Sequence, residues 1–257
     1  MTDDGEKDLD YNDDETERLE TIWGEGFLSP GGPAEVSRVL GNHNIEGCDI
    51  LDIGSGTGGV DIVLVREHGA GTVVGIDVEK KLVDLANYYL TRHALENRIT
   101  YKLVDPGPLP FRDETFDAVF SKDSIIHVQD KRGLYSEAFR VIRPGGRIFV
   151  SDWLRGEGDE FDNMVERFAE ASGHEFTLVS LREIENVLRK VGFVDIDLTD
   201  RQDWYLNEAT AELDKMRGPL QTQLREEIEF WEIMVGALNE GAIMPGHIRA
   251  MKPSDTQ

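Results

Sequence analysis

The run Leu51-Asp-Ile-Gly-Ser-Gly-Thr-Gly-Gly59 sets an acid, Asp52, directly before a cluster of glycines at the end of an apolar stretch. Gly54, Gly56 and Gly58 allow a tight turn and let a ligand approach the backbone where a Cβ would obstruct it. A second acid, Asp77, closes the next apolar stretch 18 residues after Gly59, where a carboxylate can accept hydrogen bonds from both ribose hydroxyls of an adenosine ligand. Gly54, Gly56 and Gly59 also satisfy the dinucleotide fingerprint, so a nicotinamide-dependent oxidoreductase is one reading. Asp52 favours another. A carboxylate there is unfavourable beside a pyrophosphate and favourable beside the amino group and sulfonium of S-adenosylmethionine. Asp105, in Lys-Leu-Val-Asp105, ends a third apolar stretch at the edge where an adenine amino group would be read.

A second constellation lies in Ser121-Lys-Asp-Ser-Ile-Ile-His-Val-Gln-Asp-Lys131. His127 is the residue type that titrates near neutrality, and a helical course would set Asp123 on its face at i, i+4. Such a pair could take the proton of a substrate ammonium, with a rate that rises with pH through the histidine range. A histidine alone on an apolar helix face is ordinarily a core residue, and the Asp123 spacing is what favours chemistry here. Trp153, Phe161, Phe176, Trp204 and Trp231 could wall a methylated ammonium by cation-π attraction, with core packing as the plain alternative. A cofactor-binding protein without catalysis would keep Asp52 and Asp77 but not need His127.

These residues sit at the ends of a repeated pattern. Ile50 to Ile53, Thr72 to Ile76, Ile99 to Val104, Phe116 to Phe120 and Arg147 to Ser151 are short apolar runs, separated by amphipathic stretches around 60–68, 80–94 and 131–142. Strands of this kind alternating with helices predict a parallel sheet covered on both faces. Arg143-Pro-Gly-Gly-Arg147 is expected to turn into the fifth strand. Residues 156–180 interrupt the rhythm as an insertion, and 181–191 and 193–198 resume it as helix and strand. Residues 207–240 look helical and long, and Ile243 to Met251 reads as a strand that could close the sheet. Before all of these, Thr21 to Gly32 interleaves aromatics with glycines as a loop, and Pro33 fits the first turn of a helix to about Leu40.

Composition bounds the partners. A net charge of -24 over 257 residues argues against a nucleic-acid backbone, whose binding rests on Lys and Arg. The acidity fits either a solvated surface or a field that attracts a cationic substrate. Residues 1–20 carry ten Asp or Glu against two Lys or Arg and read as a solvated arm. Neither a signal segment nor a long apolar span is present, so a cytoplasmic protein away from the membrane is expected. The single cysteine, Cys48, excludes disulfide and cysteine-rich metal frameworks and reads as a packed small hydrophobe. No metal is expected, and both a monomer and a homodimer are compatible with this composition.

The order of the segments resembles the class I S-adenosylmethionine-dependent methyltransferases over about residues 45 to 200. That resemblance implies a Rossmann-like, doubly wound α/β sheet of seven strands, the last antiparallel, with an N-terminal lid and a helical insertion. Residues 1–44 would then be an acidic arm and lid segment, and 45–257 the methyltransferase domain, with lid insertions near 156–180 and 205–240. Tyr11 with Ile22-Trp-Gly-Glu-Gly-Phe-Leu-Ser-Pro-Gly-Gly32, and the segment Ser121 to Lys131, look like the corresponding parts of phosphoethanolamine N-methyltransferases. The resemblance implies that Tyr11 and His127 act together over the acceptor nitrogen, that Asp123 contacts the acceptor amine, and that Leu28 and Ser29 touch the cofactor. Val78 and Lys122 are expected at the cofactor with Asp52, Gly54, Gly56, Asp77 and Asp105. One departure stands out: where the family holds its phosphate with an arginine and a tyrosine, this chain has His174 and Phe176. Sarcosine or dimethylglycine methyltransferases, which share a similar Asp-to-His segment, are the alternative resemblance. The expected partner is a small-molecule amine.

Overall fold

Asp49–Ile53 forms β1, and Ile50, Leu51 and Ile53 are buried because helices cover both faces of the sheet that grows around it. The computed structural model describes residues 13–217 and 225–254. β2 (Thr72–Asp77) and β4 (Phe116–Lys122) flank β1 in parallel. β3 (Ile99–Leu103) lies outside β2, and β5 (Ile142–Asp152) outside β4. β7 (Gly246–Met251) runs antiparallel to both β5 and β6 (Val194–Asp200), giving the order β3-β2-β1-β4-β5-β7-β6. The last strand thus fills the sheet between the fifth and sixth strands, the seventh and antiparallel strand that the resemblance implies. Residues 246–250 are buried throughout, whereas Val194, Asp195, Asp197 and Asp200 of β6 are exposed and suit the edge.

Alternation along each strand divides the core. Ile50, Phe120 and Phe149 join α2 (Gly32–Leu40), α3 (Gly59–Arg66) and α4 (Lys80–His93) on one face. Leu51, Val119, Ile148 and Val150 meet α5 (Lys131–Val141) and α7 (Leu181–Val191) on the other. Asp130 caps α5 by accepting from the Gly133 amide, and Ser180 with Glu183 forms a capping box on α7. Cys48 packs against the first cluster, as a small hydrophobe does.

A third cluster joins α6 (Asp162–Ser172), α8 (Gln202–Met216) and α9 (Arg225–Asn239) with Trp23 of α1 (Asp13–Trp23) and with Trp153 after β5. The long helical stretch expected over 207–240 is supplied by α8 and α9, which bury Tyr205, Leu213, Trp231 and Leu238 in this shared cluster. Residues 156–180 carry α6. Thr21 to Trp23 end α1 instead of opening the loop, and Gly24, at φ 102°, is where the chain leaves the helix. Arg143 to Gly146 make the expected turn as an excursion within β5: Phe116 pairs with Ile142, but Ala118 pairs with Arg147. Among the described residues no helix is long and apolar enough to cross a membrane.

Candidate active site

β1 and β4 are neighbours whose following helices, α3 and α5, lie on opposite faces of the sheet. Their carboxyl ends therefore open the crevice in which open α/β sheets bind ligands. Gly54, Gly56 and Gly58 have φ of 73°, 52° and 88°, the left-handed region that favours glycine. A Cβ on Gly54 would collide with Ser124, so the glycine loop and the His127 segment meet here. At Gly56 a Cβ would meet only Leu28 Cδ1, at 3.5 Å, which places Leu28 over the loop.

The Asp77 carboxylate is fixed by the amides of Gly56 and Glu79, each at 2.9 Å, and these leave it lone pairs for a ligand's hydroxyls. Burial pushes its pKa up against those amides. Val78, the next residue, exposes 43% of its surface and offers an apolar contact at the rim. Asp105 lies exposed, two residues beyond β3.

Asp52 is buried, and its Oδ1 has no hydrogen-bond partner within the protein. Burial, then Asp61, then Asp77 raise its pKa well above the carboxylate range, and Lys122 only partly offsets them. Asp61, in the first turn of α3, is also fully buried, and burial pushes it up to about 7. Nothing in the local sequence marks Asp61, because an acid in a first helical turn reads as a dipole partner. A crevice floor whose carboxyl groups resist ionisation suits a cation, which would stabilise their charged forms.

Lys122 ends β4 and is itself buried. Its Nζ donates to Ser29 Oγ and to Asp123 Oδ2 at 2.7 Å, tying the glycine-rich loop to the crevice. Gly26 O accepts from the Gly59 amide at 3.0 Å, and Glu20 accepts from the Gly26 amide at 2.9 Å and the Tyr89 hydroxyl at 2.6 Å.

The expected helical face of Asp123 and His127 is absent. Asp123 has φ 52°, and only a 3-10 turn, Ile125–His127, follows, so helical spacing does not relate the two side chains. Asp123 Oδ1 accepts from Ser151 Oγ at 3.3 Å. The His127 ring meets His174 at 5.9 Å and Phe176 at 5.3 Å between centroids. Burial, then His174, lower its pKa to about 4, so the imidazole is neutral at pH 7. The expected rise of rate through the ordinary histidine range is corrected accordingly.

Below the turn, Asp152 Oδ1 accepts from the Ile126 amide at 3.2 Å, and Lys131 Nζ donates to the Ile125 carbonyl. Asp152 is not among the residues that motif spacing marks, although its place at the carboxyl end of β5 is a usable signal. Of the aromatic wall, Trp153 and Phe176 reach this region, whereas Trp204 lies under Arg38 and Arg201, and Trp231 packs on Trp23. Tyr11 lies outside the described residues.

Residues 51–150 match the family described as "Methyltransferase domain". The chain is 30% identical over 209 residues to the O-methyltransferase cnsE of Penicillium expansum, covering 77% of this chain and 75% of that protein. The chain belongs to the S-adenosylmethionine-dependent methyltransferases. It is also 29% identical over 203 residues to phosphoethanolamine N-methyltransferase 1 of Zea mays, spanning 77% of this chain but only 38% of that relative. Phosphoethanolamine N-methyltransferase 2 of Haemonchus contortus, solved with phosphomonomethylethanolamine and S-adenosylhomocysteine, superposes with TM-score 0.83 at 25% identity, covering 95% of this chain and 58% of that one. Membership in the methyltransferases sets aside the nicotinamide reading that the glycine fingerprint also admits. The residues present fit the family's cationic methyl donor: an unpartnered Asp52 oxygen, an open Gly56, a fixed Asp77 carboxylate and an exposed Val78 stand around one crevice.

Proposed function

We propose that this chain transfers a methyl group from S-adenosylmethionine to the nitrogen of a small-molecule amine. The observation that carries this is the turn at the crevice mouth, where a buried carboxylate, Asp123, and a neutral imidazole, His127, flank Ser124 against the glycine loop. The phosphoethanolamine N-methyltransferase relatives support the amine end of the acceptor.

When bound, the cofactor supplies an electrophilic methyl group on a sulfonium. The chain's own residues do the rest. Asp77 accepts from the ribose hydroxyls, and Val78, Asp105 and Leu28 border the adenosine. Asp52 faces the cationic end, with Gly54 and Gly56 giving backbone approach. Lys122 positions Ser29 in the loop above.

Asp123 attracts the acceptor ammonium, and His127, already neutral, accepts its proton so that the nitrogen lone pair is free for an in-line attack. Tyr11 orients His127. Residues 11–32 act as a lid that excludes water, a reading supported by the ties of Gly26 and Ser29 to the crevice. The test is incubation of the full chain with S-adenosylmethionine and a panel of amines, starting with phosphoethanolamine, followed by mass spectrometry of the products. Methylation confined to oxygen or carbon would sink the proposal.

A further inference from the structure

A belt of side-chain contacts runs between Asp123 and His127. The His127 ring meets Phe176 at 5.3 Å between centroids, Phe176 stacks on Phe168 at 5.6 Å, and Phe168 stacks on Trp153 at 5.9 Å. Trp153 meets Tyr205 edge-on at 5.2 Å. The Tyr205 hydroxyl is 3.5 Å from Ser151 Oγ, which is 3.3 Å from Asp123 Oδ1. The belt therefore starts on the carboxylate and ends on the imidazole. Phe168 and Tyr205 are buried, whereas Trp153 and Phe176 are only partly buried.

Two acids, Asp123 and Asp152, and two ammoniums, Lys122 and Lys131, border this belt, with His174 at its His127 end. Asp123 stands close enough to Asp152 to oppose its ionisation, while the bordering lysines and arginines are already paired. Lys122 serves Asp123 and Ser29, and Lys131 serves the Ile125 carbonyl and Asp152. Arg155 pairs with Asp162 at 2.6 Å, and Arg201 with Glu35 at 3.1 Å. A phosphate or carboxylate entering here would meet the negative faces of aromatic rings and two acids, and among the described residues the guanidinium and ammonium groups just named are already paired. An ammonium on an apolar body would be attracted by the rings and the acids alike.

Resting on the reading of the chain as an amine methyltransferase, we propose that its acceptor is an amine carried on an aromatic or alkyl body without a phosphate or carboxylate. The body lies against Trp153 and Phe176, and the nitrogen points to Asp123 and His127. This departs from the acceptor named for the phosphoethanolamine N-methyltransferase relatives.

The test compares 2-phenylethylamine, hexylamine, phosphoethanolamine and sarcosine with the full chain and S-adenosylmethionine, reading kcat/KM from S-adenosylhomocysteine formation and the product by mass. At least one of the two apolar amines should exceed both anionic ones by about tenfold or more, the scale on which pocket contacts discriminate. Phe176→Arg should shrink that ratio by about tenfold, with cofactor affinity measured by calorimetry as the check on folding. If that variant does not fold, Phe176→Leu, which removes the ring face and keeps an apolar side chain, should shrink it in the same direction. Equal rates, or preference for phosphoethanolamine or sarcosine, would overturn the acceptor class and leave the amine methyltransferase reading intact. If protein that binds S-adenosylmethionine methylates none of the four, the amine reading itself falls and takes this proposal with it.

Discussion

Lys122 Nζ bridges Ser29 Oγ and Asp123 Oδ2, so one buried ammonium holds both the glycine-rich loop and the proposed acceptor carboxylate. Removing either end has a different consequence. Ser29→Ala breaks a hydrogen bond to a charged group, worth about 1.5 to 3 kcal/mol, and should loosen the loop without unfolding the sheet. Lys122→Met leaves the Asp123 charge buried without its partner and should destabilise the fold by about 3 to 5 kcal/mol. Limited proteolysis reads the first effect and urea unfolding the second. In the parent protein, cleavage within residues 11–32 should slow when cofactor is added; equal rates with and without it would remove the lid reading.

Asp77→Ala should weaken binding of S-adenosylmethionine by about 1.5 to 3 kcal/mol, because it removes a charged acceptor already oriented by the Gly56 and Glu79 amides. The acids below add a pH dependence. Asp52 is raised by burial, Asp61 and Asp77, and Asp61 is raised to about 7, so protons are retained on this pair near neutrality. A cation bound above favours the ionised pair, so binding should release protons and tighten as pH rises through 7. S-adenosylhomocysteine, which lacks the sulfonium, should show a weaker dependence. Calorimetry in two buffers of different ionisation heat measures the difference, and equal proton release by the two ligands would contradict it.

What the sequence made legible was local. The glycine loop, Asp77 and the succession of strands and helices are short-range patterns in which each residue's neighbours in sequence are its neighbours in space. Asp61 escaped because its partner Asp52 approaches across the crevice floor, and an acid in a first helical turn looks like an exposed one. The Lys122–Ser29 contact joins residues 93 apart, and His247–Glu35 joins residues 212 apart, so neither pairing follows from spacing. Asp123 and His127 were expected on one helical face because four residues separate them, but the backbone at Asp123 is left-handed and the helical period has no purchase there.

Glu35 supplies a stability test far from the chemistry. It is fully buried in α2, where burial raises its pKa, but His247 at 2.6 Å and Arg201 at 3.1 Å overcome this and hold it at about 2. Arg249 Nη2 lies 3.4 Å from His247 Nδ1, and a guanidinium can only donate, so the imidazole donates to Glu35 through Nε2. The folded-state pKa is depressed, so the stability it contributes is present above pH 4.5 and lost as pH falls toward 2. Glu35→Gln should cost about 3 kcal/mol at pH 7 and flatten the dependence of the urea midpoint on pH between those values. An unchanged midpoint at pH 7 would show that the network adds nothing net.

His127 carries the prediction closest to the reaction. His127→Ala should lower kcat by about 10² to 10⁴, the usual contribution of a general base, while leaving cofactor affinity nearly intact. Tyr11→Phe should produce a smaller loss of the same kind, since it removes only a hydroxyl that orients the ring. The imidazole is held at about 4 by burial and His174, so its protonation inhibits only as pH falls toward that value, and the rate should not follow an ordinary histidine titration between 6 and 7. Any rise above neutrality would then report the acceptor's own ammonium, and it should move with the pKa of the amine supplied. The same shift links to folding: the unfolded chain binds this proton at 6.5 and the folded one at about 4, so His127 destabilises the fold as pH falls across that window, and His127→Gln should relieve part of the loss. If His127→Ala and Tyr11→Phe both methylate an identified amine at the parental rate, the imidazole is a packing residue and the enzyme works by alignment of its reactants alone.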